Sequence, residues 1–207
     1  MSSPNRWDRI EAFAREAWTA LDMFKLGIAG FARSRPFDSP GLISGVGRML
    51  FRRLVLHPKL LGGMAVELDP TDLGDLISFE EVFVEKTYDL SRVPFTPDTI
   101  VDCGAHAGYF TLLAAKKFPS AVIYAFEPFP RNVKMLRRQA DRNGLAFRVL
   151  EAAASLADGE GWFAAENSNT GSLLAGPPAD GRGLCVRMMD FPAWLARLGS
   201  RSLVLKL

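Results

Sequence analysis

Apolar and polar positions follow two distinct patterns along the second half of the chain. Short apolar runs rich in β-branched residues are followed by longer segments whose apolar residues recur at helical spacing. This pattern predicts strands at residues 99–103, 121–127 and 146–153, and helices at residues 108–118 and 130–144. Because strands that alternate with helices usually pair in parallel through crossover connections, we predict an α/β fold.

The regular alternation lapses between Asp158 and Arg187, where the sequence becomes polar and rich in glycine. We predict a β-hairpin or a flap over the sheet in this region. Its polar loop suits contact with a substrate and equally suits a plain surface loop. Beyond it, residues 191–199 are predicted to form a short helix, and residues 202–207 begin a fourth strand.

The N-terminal part has a different pattern. We predict a helical extension with a linker over residues 1–62 and the main domain over residues 63–207. Apolar residues at helical spacing predict an amphipathic helix over residues 7–31, which packs on the main domain, on a partner subunit or on a membrane surface. The other elements predicted upstream are a loop at 33–47, a short helix within 48–61, a strand or turn at 64–70 and a helix over 76–88.

The composition is that of an ordinary soluble globular protein. Of 207 residues, 48% are hydrophobic and 23% are charged, and the net charge is +2. Lys and Arg are spread among nearly as many acids, so the charge gives no indication of nucleic-acid binding. Cys103 and Cys185 lie far apart without metal-binding spacing, and we interpret them as reduced thiols of a cytoplasmic protein. We predict no metal site, no signal peptide and no transmembrane segment.

The candidate chemistry lies in the turn after the first predicted strand of the main domain, in the sequence Asp102-Cys103-Gly104-Ala105-His106-Ala107-Gly108. A Gly-x-x-x-Gly turn that opens onto a helix N-terminus leaves room for close approach of a ligand. The dinucleotide fingerprint requires a glycine where this chain has His106. The turn therefore does not match a pyrophosphate-binding site.

Two carboxylates accompany this turn. A phosphate about 4 Å from Asp102 would cost on the order of 4 kcal/mol per charge pair at an effective dielectric near 20, whereas a cationic ligand would be favoured. S-adenosylmethionine carries an ammonium and a sulfonium and no phosphate, so Asp102 favours this cofactor. Glu127 ends the next strand, before Pro128, where an acid about 20 residues after the turn accepts hydrogen bonds from ribose hydroxyls. The alternative is that Asp102 caps the following helix and Glu127 is a solvated acid at a strand end.

Four segments carry a resemblance to a known family: VDCGAHAGYFT, YAFEPFPRNVKMLRRQADRNGL, VLEAAASLADGEG, and VRMMDFPAWL followed by LVLKL. In this order and spacing they resemble the FkbM-type methyltransferases, enzymes that use S-adenosylmethionine mostly to O-methylate sugar and related natural-product hydroxyls. The resemblance covers residues 64–207. It implies a Rossmann-like class I methyltransferase sheet.

The resemblance also implies roles for the residues at matching positions. The turn would line the methionine part of the cofactor, Glu127 would hold the ribose between Phe126 and Pro128, and the AAAS stretch would lie near the adenine. The cofactor-binding residues predicted in this way are Asp102, Gly104, Ala105, His106, Gly108, Tyr109, Phe126, Glu127, Pro128, Ala153 and Ser155. Two further matching residues, Asn132 and Asn143, are interpreted as helix-start and turn residues.

Two features depart from the family pattern. His106 stands where the family usually has asparagine, and its side chain either acts as a catalytic base or packs the loop. In the family, the strand that matches LVLKL continues into an acidic Asp-x-Glu-Gly-x-Glu motif, which does not follow Leu207. We therefore expect a fragment of a longer gene product, with a sheet that is incomplete at its C-terminus and an exposed edge strand. We interpret Lys206 and Leu207 as residues of the strand and not of the site.

The predicted function is S-adenosylmethionine-dependent O-methylation of a small-molecule or glycan acceptor, with no catalytic base identified. We expect the N-terminal helix to mediate homo-oligomer formation or to bind a partner. One alternative is a catalytically inactive cofactor fold that serves as a binding module. A nicotinamide oxidoreductase is a third class, against which His106 and Asp102 both argue.

Overall fold

The computed structural model describes residue 9 and residues 54–56, 64–69, 72–167, 170–174, 176–177 and 183–207. The chain divides into two units, residues 1–87 and residues 88–207. Residues 63–87, which the sequence pattern grouped with the downstream domain, belong to the first of these units. Apart from Arg9, the predicted helix over residues 7–31 and the predicted loop at 33–47 lie outside the described residues.

The first unit contains a short antiparallel pair of strands, β1 (Leu54–Leu56) and β2 (Val66–Leu68). The helix predicted within residues 48–61 is therefore wrong at residues 54–56. A short isolated helix is marginal in water, whereas these three apolar residues gain a ladder with residues distant in sequence. A strand or turn was predicted at 64–70, and the structure has a strand there, β2.

A helix follows β2 and confirms the helical prediction for residues 76–88 over most of its length. Helix α1 (Leu73–Phe79) begins at Asp72, whose side chain accepts hydrogen bonds from the backbone N–H groups of Gly74 and Asp75. It continues directly into a π-helical turn, Glu80–Val84. In the same unit the buried Glu80 carboxylate accepts a 2.9 Å hydrogen bond from Arg9 Nε.

The described residues of the second unit form strands, three helices and a short 3-10 turn. The strands are β3 (Thr99–Cys103), β4 (Val122–Phe126), β5 (Arg148–Leu150), β6 (Ala153–Ser155), β7 (Gly159–Asn167), β8 (Thr170–Leu174), β9 (Leu184–Asp190) and β10 (Leu203–Lys206). The helices are α2 (Tyr109–Lys117), α3 (Pro130–Asn143) and α4 (Phe191–Ala196), and the 3-10 turn is Leu90–Arg92.

The main sheet is parallel, with the strand order β10-β3-β4-β5. Its central strands carry fully buried residues on both faces, including Ile100, Val101, Ile123 and Ala125. This burial explains why these strands are continuous apolar runs in the sequence. The α/β fold is confirmed, and so is the Rossmann-like arrangement of parallel strands separated by helices. Strand β10 lies at the edge of this sheet, where Leu205 is exposed.

The third predicted strand, residues 146–153, is two strands in two different sheets. Strand β5 ends at Leu150, and a tight turn closed by the hydrogen bond from Ala152 N to Leu150 O leads into β6. Strand β6 belongs to a second sheet of order β6-β9-β7-β8. Strands β7 and β8 form the predicted hairpin, and β9 pairs antiparallel with β7.

Asp98 joins the starts of β3 and β10. Its carboxylate accepts hydrogen bonds from Ser200 Oγ at 2.7 Å and from the backbone N–H groups of Arg201 and Ser202 at 3.0 and 3.3 Å. Ser200 first, then the side chain of Thr99 and the two backbone donors, lower the pKa of Asp98 from 3.8 to about 2. The charged carboxylate therefore stabilises the position of β10 beside β3.

Replacing Asp98 with asparagine is expected to lower the melting temperature at neutral pH, because asparagine cannot accept from all three donors. The pKa is lower in the folded chain than in the unfolded chain, so this stabilisation is complete above pH 3.8 and is lost as the pH falls towards 2. Melting temperatures measured from pH 5 to pH 2 should therefore converge for the wild type and Asp98→Asn. The exposed Asp141→Asn serves as the control, and a constant difference over the whole range would contradict the assignment.

Candidate functional site

The turn between β3 and α2 is built from left-handed backbone conformations. The φ angles are +70° at Gly104, +53° at His106 and +88° at Gly108. Glycine adopts this region without steric cost, and histidine is among the side-chain-bearing residues that enter it more often than most. The N–H of Ala105 donates to the carbonyl of Phe126 at 2.8 Å, which ties the turn to the end of β4.

The two glycines have different surroundings. A Cβ atom built on Gly108 would lie 2.1 Å from Leu136 Cδ1, so the absence of a side chain lets α3 pack against the start of α2. A Cβ atom built on Gly104 would meet no atom within 4 Å. The backbone at Gly104 therefore borders open space, as expected where a ligand approaches the main chain closely.

Glu127 follows β4 and holds the turn from the other side. Its Oε2 accepts from the N–H of His106 at 2.7 Å, and its Oε1 accepts from the N–H of Phe129 at 2.9 Å and from Asn132 Nδ2 at 3.3 Å. The side chain is buried, so the alternative of a solvated strand-end acid is wrong. Burial raises the pKa of Glu127 above its ordinary value, while the three donors oppose that rise.

Asn132 was interpreted from the sequence as a helix-start residue, and it does lie in the first turn of α3, although its side chain also contacts the site. Helix α3 begins at Pro130, and Asn132 lies inside it, where its buried amide donates to Glu127. Asn143 is the last residue of α3, and Gly144 follows in a left-handed conformation, which confirms the predicted stop.

Asp102 is completely buried at the carboxyl end of β3. Its Oδ2 accepts a 2.5 Å hydrogen bond from Thr111 Oγ1, and its Oδ1 lies 3.0 Å from Lys206 Nζ. The capping residue of α2 is Gly108, with no side-chain cap, so Asp102 does not cap this helix. It reaches the helix only through the hydroxyl of Thr111.

The ammonium of Lys206 lies against the same turn. It donates to the carbonyl oxygens of Gly104 at 2.9 Å and Cys103 at 3.2 Å, besides its ion pair with Asp102. Lys206 is a residue of β10, as predicted, but the prediction that it takes no part in the site is wrong, because its ammonium contacts the turn. Residues 206 and 102 are paired in the parallel register of β10 and β3, which directs both side chains to one face of the sheet. The negative charge predicted beside the turn is thus partly balanced by a cation of the same chain.

The sequence matches no family model. Part of the sequence is similar to proteins of known name. It is 37% identical over 68 residues to Methyltransferase 1 of Beauveria bassiana, a match that covers 32% of this chain and 26% of that protein. It is 40% identical over 65 residues to Methyltransferase sdnD of Sordaria araneosa, covering 31% of this chain and 25% of that protein.

A third relative carries the name FkbM itself. The chain is 36% identical over 78 residues to the 31-O-demethyl-FK506 methyltransferase FkbM of Streptomyces tacrolimicus, covering 37% of this chain and 30% of that protein. The resemblance to FkbM-type methyltransferases is confirmed. It extends over about a third of the chain, and the chain spans about a quarter to a third of the length of these relatives.

Solved structures with a partly similar arrangement include TYW2 of P. horikoshii in complex with MeSAdo, with a TM-score of 0.39, 19% sequence identity, and coverage of 49% of this chain and 36% of that chain. TYW2 of M. jannaschii in complex with AdoMet has a TM-score of 0.34 and 19% identity, and the match covers 48% of this chain and 44% of that chain.

The structure brings together most of the positions that the FkbM-type resemblance indicated. Asp102, the turn over residues 104–108 and Glu127 meet at the carboxyl ends of β3 and β4, where ligands of parallel α/β sheets bind. Ala105 and Tyr109 are buried beside them, and Pro128 follows Glu127. The name turn site is used below for this cluster at the carboxyl ends of the strands: Asp102, residues 104–108, Glu127 and Lys206.

Three predicted residues have other surroundings. The ring of Phe126 is fully buried in an aromatic cluster with Phe191 and Trp194, at centroid distances of 5.4 and 4.8 Å, while its backbone carbonyl contacts the turn. Ala153 and Ser155 lie in β6 of the second sheet, and Ser155 Oγ is 3.8 Å from Met188 Sδ.

Cys103 lies next to Asp102 but is not prepared to act as a nucleophile. Burial, reinforced by the negative charge of Asp102, raises the pKa of its thiol to about 11. The thiol is therefore protonated at neutral pH, and the thiolate is the nucleophilic form.

Among the described residues, there is no group of three or more His, Cys, Asp or Glu side chains that could hold a metal ion. Within the same residues, no helix combines the length and apolarity that crossing a bilayer requires.

Proposed function

We propose that the turn site binds S-adenosylmethionine and that the chain contributes to methyl transfer onto a hydroxyl group of a sugar or natural product. The observation that carries this proposal is the pair of buried carboxylates, Asp102 and Glu127, at the ends of neighbouring parallel strands, with open space next to Gly104 in the turn that both carboxylates accompany. The sequence identity with three named methyltransferases supports the same activity. The name of one relative, 31-O-demethyl-FK506 methyltransferase, supports oxygen as the methylated atom.

The residues of the turn site fit the chemical groups of this cofactor. Oxygen atoms of Asp102, Cys103 and Gly104 already surround a primary ammonium, which is the group that ends the methionine part. Glu127 presents a carboxylate that is positioned by its contacts with His106 and Phe129 and can accept from ribose hydroxyls. When bound, S-adenosylmethionine supplies an electrophilic methyl group on its sulfonium.

Methyl transfer requires the acceptor oxygen to approach in line with the breaking sulfur–carbon bond and to lose its proton. Rigid positioning of the nucleoside by Glu127 and of the turn by Ala105 would contribute to that alignment. Cys185 and Cys103 are free thiols, which supports the proposed cytoplasmic location. We also propose a small-molecule or glycan acceptor and association through the N-terminal segment.

The proposal predicts that the folded chain binds S-adenosylhomocysteine and that Glu127→Gln weakens this binding by about 10- to 150-fold. One amide oxygen cannot replace a carboxylate that serves both the turn and the ribose, and hydrogen bonds to charged groups contribute about 1.5–3 kcal/mol. Isothermal titration calorimetry measures the change.

The matched control is Glu151→Gln, because Glu151 is an exposed carboxylate whose 3.4 Å ion pair with Arg137 lies on the surface. Its affinity should equal that of the wild type. A folded wild-type chain that binds no S-adenosylhomocysteine would favour the binding-module alternative, and binding of NAD would favour the oxidoreductase class.

A further inference from the structure

The ε-ammonium of Lys206 is surrounded by acceptor groups at the beginning of the glycine turn. It lies 2.9 Å from Gly104 O, 3.2 Å from Cys103 O and 3.0 Å from Asp102 Oδ1, and 5.7 Å from the centroid of the Tyr88 ring. The Asp102 side chain is 0% exposed and the Lys206 side chain is 16% exposed. This is a nearly buried cation held by oxygen atoms of the turn itself.

These oxygens form a site for a primary ammonium rather than a contact specific to lysine. An ammonium has three donors and no acceptor, and two carbonyls with one carboxylate offer only acceptors. Asp102 Oδ1 pairs with Lys206 through charge at 3.0 Å but makes no well-aligned hydrogen bond with any described residue. The carboxylate thus retains an acceptor that a better-placed ammonium can use.

We propose that Lys206 fills the ammonium subsite of the turn and that a ligand with a primary amino group binds there by displacing it. The identity of that ligand, the amino-acid end of S-adenosylmethionine, rests on the proposed function. Gly104, whose carbonyl is one of the three acceptors, is exposed and borders open space, so a ligand can approach this acceptor from that side. Release is available because lysine carries a compact, strongly hydrated charge on a flexible stem, and the Lys206 side chain already reaches solvent in part.

The displacement has a consequence for specificity. In the wild type, a ligand's ammonium replaces an ammonium already in place, so the amino-acid part of the ligand contributes little to affinity. Without Lys206, the same ammonium would neutralise a buried carboxylate that otherwise has no charge partner, which is a costly state. Lys206 therefore sets how strongly the turn site favours amine-bearing nucleosides over simple ones.

The test compares two nucleosides by calorimetry on the wild type and Lys206→Met. S-adenosylhomocysteine carries the amino-acid part, and methylthioadenosine lacks it. We expect Lys206→Met to tighten S-adenosylhomocysteine binding by roughly tenfold or more, on the scale of one charged hydrogen bond, and to leave methylthioadenosine unchanged. Lys116→Met, which removes an exposed lysine of α2, controls for the change in net charge and should alter neither affinity.

A second measurement needs no variant at the site and decides the matter if Lys206→Met does not fold. Lysine side chains of the wild-type chain are labelled with an amine-reactive reagent, and the modified residues are identified by mass spectrometry. Lys206 should react more slowly than Lys116 without ligand, and S-adenosylhomocysteine should accelerate its labelling while methylthioadenosine does not.

The outcomes separate this inference from the proposed function. If S-adenosylhomocysteine binds the wild type but binds Lys206→Met equally or more weakly, the displacement is overturned and the nucleoside site stands. Labelling of Lys206 that stays slow in saturating S-adenosylhomocysteine overturns it as well. If neither nucleoside binds a folded wild-type chain, the proposed function and the displacement fall together.

Discussion

Replacing Gly108 with alanine is expected to lower the free energy of unfolding by about 2–5 kcal/mol. The backbone at this position has a φ angle of +88°, and an L-residue in the left-handed region costs about 1–2 kcal/mol. The added methyl group would also lie 2.1 Å from Leu136 Cδ1, and overpacking of a core usually costs about 1–3 kcal/mol. Leu136 is fully buried, so α3 can yield only by disturbing the packing of its inner face. Urea unfolding followed by circular dichroism measures the loss.

Gly144→Ala separates the two contributions to this loss. Gly144 ends α3 with a φ angle of +59°, and nothing lies within 4 Å of a Cβ atom built there. Its replacement should therefore cost only the backbone strain, about 1–2 kcal/mol. Equal losses for Gly108→Ala and Gly144→Ala would show that α3 adjusts freely and that Gly108 is not required for close packing.

Local signals were sufficient to predict most elements of the parallel sheet. The run TIVDC is β-branched and apolar because β3 is buried on both faces, and the stop at Gly144 was visible because a left-handed cap favours glycine. These features depend on the conformation and burial of a few adjacent residues. They can therefore be inferred from a short window of sequence.

Elements that depend on distant partners could not be predicted in this way. Residues 54–56 form a strand because they pair with residues 66–68, and nothing within the triplet indicates that partner. The break after Leu150 separates two sheets, although residues 146–153 form one continuous, mostly apolar run. The position of β10 beside β3 is likewise a property of the assembled sheet.

The residues of the candidate site also divide into those that the local sequence indicated and those that depend on distant partners. Asp102 and Glu127 were found because each follows an apolar strand run at a position where parallel sheets bind ligands. Lys206 was missed because its contact with Asp102 joins residues about a hundred positions apart, through the register of two strands. A charged residue at the end of the apolar run LVLKL was the signal that could have indicated a partner in the site. The sequence argument was that the negative charge of Asp102 favours a positively charged ligand. Because Lys206 already lies next to Asp102, this argument holds only if Lys206 can move away.

Gly104→Ala is expected to weaken binding at the turn site through a steric conflict with the ligand, at the same cost in stability as Gly144→Ala. Its φ angle is +70°, so alanine should cost about 1–2 kcal/mol of backbone strain, as at Gly144. The methyl group would meet no atom of the chain within 4 Å and would instead project into the open space that we assign to the ligand. A steric conflict of about 1–3 kcal/mol in the bound state would weaken S-adenosylhomocysteine binding by about 5- to 150-fold.

Calorimetry on Gly104→Ala and Gly144→Ala makes this prediction specific, because both variants carry the same backbone strain and only one places a methyl group at the turn site. Gly144→Ala should bind S-adenosylhomocysteine as the wild type does. If Gly104→Ala also binds with wild-type affinity, no ligand approaches the main chain at Gly104, and the nucleoside must lie elsewhere than between Asp102 and Glu127. If both variants lose affinity equally, the loss reflects strain in the fold, and the open space at Gly104 has no part in binding.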